Sequence, residues 1–238
     1  KINGKDGESC IEFKIISRIL SGFRTSVAIH LSARYPLETD RFHTTWGINY
    51  SQLERRFSSQ ATGLNGSLWI KDVFFTYMIV HRSLLKLSVL LKTLNIETGS
   101  QHADHHSKEL MLALIDQLKI APGTFRESVM FSDTQTSPKI MDTICTKFKN
   151  ISRILDCVAC DKCRLWGKAQ VQGLATALKI LFTPTNGVIQ DKLSPAVKLN
   201  RMEIVSLFNV FSRFSNSLNY LNQWRKHMLL DAVAKSDL

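Results

Sequence analysis

The stretch DCVACDKCRLWGK at residues 156–168 holds three of the five cysteines of the chain within seven residues. Two residues separate Cys160 from Cys163, a spacing that lets the two sulfurs form and release a disulfide across a short loop. A cysteine at a helix N-terminus lies at the positive end of the helix dipole, which favours the thiolate. Because the thiolate is the form that attacks a disulfide, this spacing predicts a redox-active dithiol.

Other uses of these cysteines remain open. A zinc site needs four ligands, commonly from two paired clusters, and the sequence has no second cysteine pair. An iron–sulfur run would need cysteine at Gly167 and proline at Lys168. A structural disulfide across so few residues would close too short a loop to add much stability. The alternative hypothesis is a helical module that binds zinc or another metal through Cys157, Cys160 and Cys163.

Apolar side chains recur at helical spacing along most of the chain. Pro36 ends the first periodic segment, and Asn200 with Glu203 forms a capping box before the last. Helices are predicted over residues 9–33, 51–61, 67–94, 107–120, 137–156, from the dithiol to 182, and 200–233, with loops over 95–106 and 121–136. Without a β-hairpin signal or internal repeat, the sequence predicts an all-α fold, a single helical bundle forming one domain over residues 1–238.

Small residues interrupt two of the predicted helices. Ser21 and Gly22 lie inside the first helix, where glycine lowers helix stability, so we expect a neighbouring helix or a cofactor to approach closely there. Gly173 and Ala177 predict close packing of the helix that follows the dithiol.

Large apolar residues mark the expected core. Residues 67–94 are apolar nearly all round, which is typical of a central core helix, so aromatic residues such as Trp69 and Phe74 are expected to fill the core. After the dithiol, Leu165 begins the apolar stripe of the next helix, and core packing is the expected role of Trp166.

Three histidines occur in the polar run QHADHH at residues 101–106. Histidines in such a run, without a paired carboxylate or a cysteine, are more often surface residues than metal ligands. This run is therefore predicted to be a solvated loop, and no metal site is expected.

The chain is strongly basic, with a formal charge of +11 and a pI of about 9.6. Such a charge permits a nucleic acid or an acidic membrane surface as partner, but lysine and arginine are spread over most helices without a basic block, which disfavours nucleic acid. The sequence contains no run of eighteen apolar residues, so no membrane span is predicted.

Because the chain begins at Lys1 without a signal segment, we expect a protein incomplete on its N-terminal side.

A longer string around the dithiol is specific to one protein family. NISRILDCVACDKCRLWGK at residues 150–168 and QGLATALKILF at residues 172–182 closely resemble the endoplasmic reticulum oxidoreductin family. The resemblance extends to Ser21-Gly22, to HLSARY at 30–35, to Trp46-Gly47 and to EIVSLFN at 203–209, and it is weakest between about residues 94 and 137.

This resemblance implies a function. The family consists of helical, flavin-dependent thiol oxidases of the endoplasmic reticulum lumen, which make disulfides for protein disulfide isomerase. It implies that electrons enter at Cys160 and Cys163, pass to flavin adenine dinucleotide (FAD) held in the helical bundle, and reach oxygen, forming hydrogen peroxide. By the same analogy, Cys160 exchanges with the substrate and Cys163 faces the flavin.

The resemblance also implies three cofactor-binding residues. Ser21 matches a serine with which the family contacts FAD, and Arg56 matches a flavin-contacting arginine. Arg24 stands where the family has a histidine, and arginine can stack on adenine or pair with phosphate. For both arginines, a solvated position on a helix face is the alternative.

Three cysteines remain outside the dithiol. The resemblance implies that Cys10 and Cys157 bond to upstream cysteines absent from this sequence, which also lacks the family's mobile shuttle pair. Cys145 has no family counterpart, and a buried free thiol is expected. If the helix between them forms, twelve residues place Cys145 about 18 Å from Cys157, too far for a disulfide.

Three glycosylation sequons begin at Asn49, Asn65 and Asn150. They are consistent with a secretory route, because such sites are modified along that route.

Overall fold

The computed structural model describes residues 11–33, 36–37, 45–93, 101–119, 137–182 and 199–236. These residues form the helices α1 Ile11–Ala33, α2 Tyr50–Phe57, α3 Ser59–Thr62, α4 Asn65–Thr93, α5 Gln101–Leu118, α6 Ser137–Leu155, α7 Asp161–Phe182 and α8 Arg201–Ser236. The predicted all-α fold class is confirmed. None of these helices is both long and apolar enough to cross a membrane.

One short antiparallel pairing was not expected from the sequence. The two-residue strands β1, Pro36–Leu37, and β2, Thr45–Trp46, pair with Pro36 opposite Trp46. Such a short pairing has too few residues to show the alternating pattern by which strands are recognised.

Two predicted helix boundaries are wrong. Residues 101–106, predicted as a loop, form the first turns of α5, and a polar run can be helical without the apolar period by which a helix is recognised in a sequence. The predicted helix over residues 51–61 is two helices. Ser58 ends α2 with an extended backbone, and its hydroxyl caps α3 by accepting a hydrogen bond from the Ala61 backbone at 3.2 Å. The predicted loop over 121–136 lies outside the described residues.

The chain divides into two compact units. The first unit comprises Lys1–Thr76 and Arg213–Leu238, and the second comprises Tyr77–Ser212. The single domain expected over residues 1–238 stays a prediction.

In the first unit, α1 and the start of α4 touch through their backbones. A Cβ atom added at Gly22 would lie less than 3.0 Å from the Asp72 carbonyl oxygen and the Thr76 hydroxyl. The predicted close approach is therefore made by a neighbouring helix. Arg18 reinforces it with an ion pair of 3.0 Å to Asp72 and a guanidinium carbon 3.9 Å from the centre of the Phe75 ring.

Both α1 and the later part of α8 contribute buried residues to the first unit. Ile19, Ile29 and Phe214 are fully buried. The hydroxyl groups of Ser26 and Ser217 hydrogen-bond to each other at 2.7 Å within this core, so these two buried polar groups have a partner.

In the second unit, α7 packs closely against the first turns of α8. A Cβ atom added at Gly173 would lie less than 3.0 Å from the Ser206 carbonyl oxygen, which confirms the close packing predicted there. The predicted capping box is also confirmed, since the backbone of Glu203 donates to the Asn200 side chain and the backbone of Asn200 donates to Glu203, both at 2.8 Å. Glu203 also accepts from the Lys179 ammonium at 2.8 Å.

A buried histidine lies in α4 of the second unit. His81 is 2% exposed, and its Nε2 lies 3.3 Å from the Leu118 carbonyl oxygen at the end of α5. Burial lowers the pKa of His81 below its ordinary value, although the contact with the Leu118 carbonyl opposes this. The neutral imidazole is therefore the form that fits this position near neutral pH.

Several residues predicted in the core are exposed. The start of α4 leaves Trp69 36% and Phe74 50% exposed, and Leu165 and Trp166 near the start of α7 are 66% and 37% exposed. When a helix is apolar all round, its sequence does not show which turns are buried, because burial depends on which other elements pack against each turn. The later turns of α4 follow the prediction, with Leu84 fully buried.

Candidate functional site

The predicted dithiol lies at the N-terminus of α7. Cys160 and Cys163 form a disulfide, with their Cα atoms 5.2 Å apart, and both residues are exposed. The carbonyl of Cys160 accepts the first hydrogen bond of the helix, from the Arg164 backbone at 2.8 Å, so Cys160 occupies the N-cap position. The expected position of the cysteine pair at a helix N-terminus is confirmed.

The sulfur of Cys160 acts as the capping atom of α7. The backbone N–H of Cys163 donates to Cys160 Sγ at 3.3 Å, where a serine or aspartate oxygen would usually accept. The same N–H would stabilise negative charge on Cys160 after the disulfide is reduced.

The cations near the dithiol are mostly paired. Arg164 contacts Asp161 at 2.6 Å, and Lys168 forms an ion pair with Asp156, the first residue after α6. These carboxylates offset the positive charge that the sequence places near the sulfurs. The helix amide group is therefore the main source of thiolate stabilisation that the geometry provides, with Lys162 as a further exposed cation.

The third cysteine of the stretch has an exposed free thiol. Cys157 lies in the turn between α6 and α7. Its implied bond to an upstream cysteine stays a prediction. The side chains of Cys10 and Cys145 lie outside the described part of the structure.

The Cys160–Cys163 disulfide argues against the alternative hypothesis of a metal site. Sulfurs bonded to each other are not thiolates, the form that binds zinc, so Cys160 and Cys163 cannot serve as ligands in this state. Among the described residues, no group of three or more histidine, cysteine or acidic side chains could hold a metal ion.

A separate cavity of about 390 Å³ lies in the first unit. It brings together Ser21, Arg24 and Arg56, the three residues predicted to bind the cofactor. The complete lining is Leu20, Ser21, Arg24, Thr25, Ala28, Arg56, Phe57 and Trp69. The structure therefore supports a common site for the three predicted residues, while their role stays a prediction.

One face of α1 forms the first wall of this cavity. Ser21, Arg24, Thr25 and Ala28 follow each other at spacings of three, one and three residues, which places them on one side of a helix. Gly22 lies next to this face and holds α1 close to the backbone of α4.

The opposite wall comes from the end of α2 and the start of α4. Arg56 and Phe57 are the last two residues of α2, and Trp69 lies in the second turn of α4. A Cβ atom at Gly66 would lie less than 3.0 Å from the Phe57 carbonyl carbon and oxygen, and the Gly66 N–H donates to the Thr62 hydroxyl at 3.0 Å. These contacts fix the turn that carries Trp69 relative to Phe57.

The lining suits an anion attached to a planar ring. It contains two guanidinium groups, two hydroxyl groups and no carboxylate among the described residues. Guanidinium groups bind phosphates through paired hydrogen bonds, and the indole ring offers an aromatic face. The volume lies near the lower end of the range of about 300–1,000 Å³ for small-molecule sites, so the cavity would hold part of a dinucleotide. These residues therefore fit the diphosphate group of FAD.

Five of the eight lining residues were not predicted as site residues, among them the polar Thr25 and the exposed Trp69. Thr25 lies four residues after Ser21 on the same helix face, and this spacing could have identified it. Trp69 was expected in the core, and nothing in its sequence surroundings distinguishes it from a core aromatic residue.

The fold and the dithiol together define a class, an all-α protein with an exposed Cys-x-x-Cys disulfide at a helix N-terminus, which is suited to thiol–disulfide exchange. The family model of Endoplasmic Reticulum Oxidoreductin 1 (ERO1) matches residues 1–221. The chain therefore belongs to the ERO1 family.

Comparisons with individual proteins agree with this assignment. The chain is 39% identical to ERO1-like protein alpha of Rattus norvegicus and 38% identical to Ero1-like protein of Drosophila melanogaster, covering 92% and 91% of its own length. It spans about half of these relatives, 48% and 47%. A double-alanine mutant of S. cerevisiae Ero1p superposes with a TM-score of 0.74 at 28% identity, covering 98% of this chain and 61% of that one.

Proposed function

We propose that the chain carries the catalytic dithiol of a thiol oxidase that forms disulfide bonds in the endoplasmic reticulum lumen. Its substrates would be protein dithiols such as those of protein disulfide isomerase, with FAD as cofactor and oxygen as final acceptor. The observation that carries the proposal is the exposed Cys160–Cys163 disulfide at a helix N-terminus in an ERO1 family chain. The structurally similar protein Ero1p is a source of disulfide bonds for oxidative protein folding in the cell.

On this chain, the exchange needs only Cys160 and Cys163. A substrate thiolate attacks one sulfur of the Cys160–Cys163 disulfide, forming a mixed disulfide and releasing the other sulfur as a thiolate. The second substrate thiolate attacks the substrate sulfur in that mixed disulfide, so the substrate leaves oxidised. Cys160 and Cys163 then hold the two electrons and take up two protons as a dithiol.

We assign Cys160 to exchange with the substrate and Cys163 to the flavin side. Both cysteines are exposed, so Cys160 is accessible to a protein thiol, and the choice of Cys160 over Cys163 follows the family analogy. The Cys163 N–H supports charge on Cys160 whenever that sulfur is released as a thiolate.

Ser21, Arg24 and Arg56 would hold the cofactor. The two guanidinium groups would pair with the diphosphate, and the Ser21 hydroxyl would add a hydrogen bond. FAD, when bound, supplies a two-electron acceptor that oxygen reoxidises with formation of hydrogen peroxide.

The secretory location is supported by the positions of the sequons. Asn65 and Asn150 are exposed, at the start of α4 and within α6. The side chain of Asn49 instead caps α2 by accepting from the Gln52 backbone at 3.1 Å.

An absorption spectrum of the purified chain tests the proposal. We expect the bands of oxidised flavin, together with oxygen consumption when a small dithiol is added. Elemental analysis of the same sample distinguishes the alternative, because stoichiometric zinc without a chromophore would exclude the oxidase and support metal binding through the cysteines.

Removing either cavity arginine should loosen the cofactor. We expect Arg24→Ala and Arg56→Ala each to weaken FAD binding by about 1–3 kcal/mol, because each removes a charge-assisted hydrogen bond. Flavin retained after dialysis measures the effect. Arg55→Ala is the matched control, since Arg55 precedes Arg56 in α2 and is exposed but does not line the cavity. If all three variants retain flavin equally, Arg24 and Arg56 do not hold the cofactor and are solvated residues on a helix face.

A further inference from the structure

The sequence Asn65-Gly66-Ser67 is a glycosylation sequon at the first turn of α4. Asn65 and Ser67 are both exposed, while Gly66 lies against the Phe57 backbone. Gly63, with a φ of 60°, ends the short helix α3 just before this turn. The acceptor asparagine is therefore open to solvent at the start of a helix rather than in its interior.

A sugar attached to Asn65 would leave the hydrogen bonds of this turn in place. The Gly66 N–H donates to the Thr62 hydroxyl at 3.0 Å, and the Ser67 hydroxyl donates to the Leu64 carbonyl at 2.9 Å. Neither bond uses the Asn65 side-chain nitrogen, the atom to which an N-linked glycan is attached. The folded turn can therefore carry a glycan without losing these contacts.

The other two sequons lie in different surroundings. The Asn49 side chain caps α2, and the ring of the following residue, Tyr50, stacks on His227 with the ring centres 4.1 Å apart. Asn150 is exposed but lies within α6, Ser137–Leu155. Of the three sequon asparagines, Asn65 is the one that is both exposed and outside a helix interior.

Two exposed leucines flank Asn65. Leu64 is 80% exposed and Leu68 is 51% exposed. The Leu68 N–H donates to the Leu64 carbonyl at 3.2 Å, so the two side chains are one helical turn apart on the same side of α4. Asn65 precedes Leu68 by three residues, which makes their side chains neighbours on the helix surface. A bulky, solubilising glycan at Asn65 would therefore lie beside both leucines.

We propose that Asn65 carries an N-linked glycan that covers Leu64 and Leu68 and keeps this side of α4 from associating with other apolar surfaces. The inference rests on the secretory location in the proposed function. In the transfer, the Asn65 side-chain nitrogen loses a proton and bonds to the first sugar carbon of a lipid-linked oligosaccharide. The bond from that carbon to the lipid diphosphate breaks, and the diphosphate leaves with the electron pair.

Expression of the full chain in the endoplasmic reticulum of cultured cells tests whether the glycan is present. Trypsin cleaves after Arg56 and Lys71, and the peptide of residues 57–71 contains no asparagine besides Asn65. Mass spectrometry of the intact glycopeptide should show a glycan on this peptide in the parent and in Ser67→Thr, which keeps the sequon. The glycan should be lost in Asn65→Gln and in Ser67→Ala, which remove the sequon in two different ways.

An apolar fluorescent dye and light scattering test the covering of the leucines. We expect Ser67→Ala to bind more dye and to self-associate more than Ser67→Thr, because Leu64 and Leu68 are then open to water. Adding Leu64→Ser and Leu68→Ser to Ser67→Ala should return both signals to the parent level. Leu110→Ser is the matched control, since Leu110 is 58% exposed on α5 and has no sequon beside it, and it should not reverse the change.

The outcomes separate this inference from the proposed function. If the peptide of residues 57–71 carries no glycan while the parent binds flavin, the glycan assignment is wrong and the flavin function stands. Equal dye binding by Ser67→Ala and Ser67→Thr would mean that the glycan does not cover the leucines, and that part of the proposal would be overturned. A parent chain that carries the glycan but binds no flavin would contradict the proposed function and support the glycan site.

Discussion

Cys160→Ser and Cys163→Ser are each expected to abolish oxygen consumption driven by a dithiol, while FAD stays bound. A serine at either position removes the disulfide, so a substrate thiolate has no sulfur–sulfur bond to attack and cannot pass its two electrons to the chain. Flavin retention should be unaffected, because neither cysteine lines the cavity that contains Ser21, Arg24 and Arg56. The two cysteines act as one unit, so the double variant should be no less active than either single variant.

An oxygen electrode with a small dithiol substrate measures this loss, and the flavin absorbance of each variant gives the amount of cofactor. Cys157→Ser is the matched control, since Cys157 is an exposed free thiol three residues before Cys160. It should retain the parent rate. Activity near the parent rate in both single variants would show that electrons enter elsewhere.

Gly173→Ala should destabilise the fold, whereas Gly167→Ala on the same helix should not. The added Cβ at Gly173 meets the Ser206 backbone carbonyl, which can move only if α7 and α8 separate, at a cost of about 1–3 kcal/mol. At Gly167 the nearest atom is the end of the Leu155 side chain at 3.1 Å, which can rotate away. Alanine also favours the helix over glycine there by up to about 1 kcal/mol.

Denaturant unfolding followed by circular dichroism measures both free energies of unfolding. Because both variants change glycine to alanine within α7, the change in the unfolded chain is the same, and the difference between them reports the contact with α8. Similar stabilities of the two variants would mean that α7 and α8 can adjust their spacing at low cost.

Much of the helical fold could be predicted because helix ends and buried faces leave local signals. The capping box at Asn200 and Glu203 and the end of α1 at Ala33 are set by residues within one turn of those positions. The start of α5 could not be predicted, since its first six residues, 101–106, are polar and carry no apolar period. A polar sequence without an apolar period is compatible with both a loop and such a turn.

The candidate site was predictable in part. The spacing of Cys160 and Cys163 identifies the dithiol directly, because the chemistry requires two sulfurs within bonding distance. Ser21, Arg24 and Arg56 were predicted as cofactor-binding residues from the family resemblance. No local sequence signal shows that Arg56 lies in the same cavity as Ser21 and Arg24. Trp69 was missed because exposure depends on which turns other elements cover, and this is decided by tertiary packing rather than by the residue itself.

Gly22 lies between two residues of the cavity wall, Ser21 and Arg24, at the point where α1 touches the backbone of α4. The Asp72 carbonyl group lies against Gly22, and a substitution cannot shorten or remove a backbone carbonyl, so this contact sets a fixed distance between the two helices. Substitutions at this cavity are then expected to change the lining side chains while the helix backbones stay in place. Arg24, which stands where the family resemblance implies a histidine, would be a change of that kind, made without moving the wall.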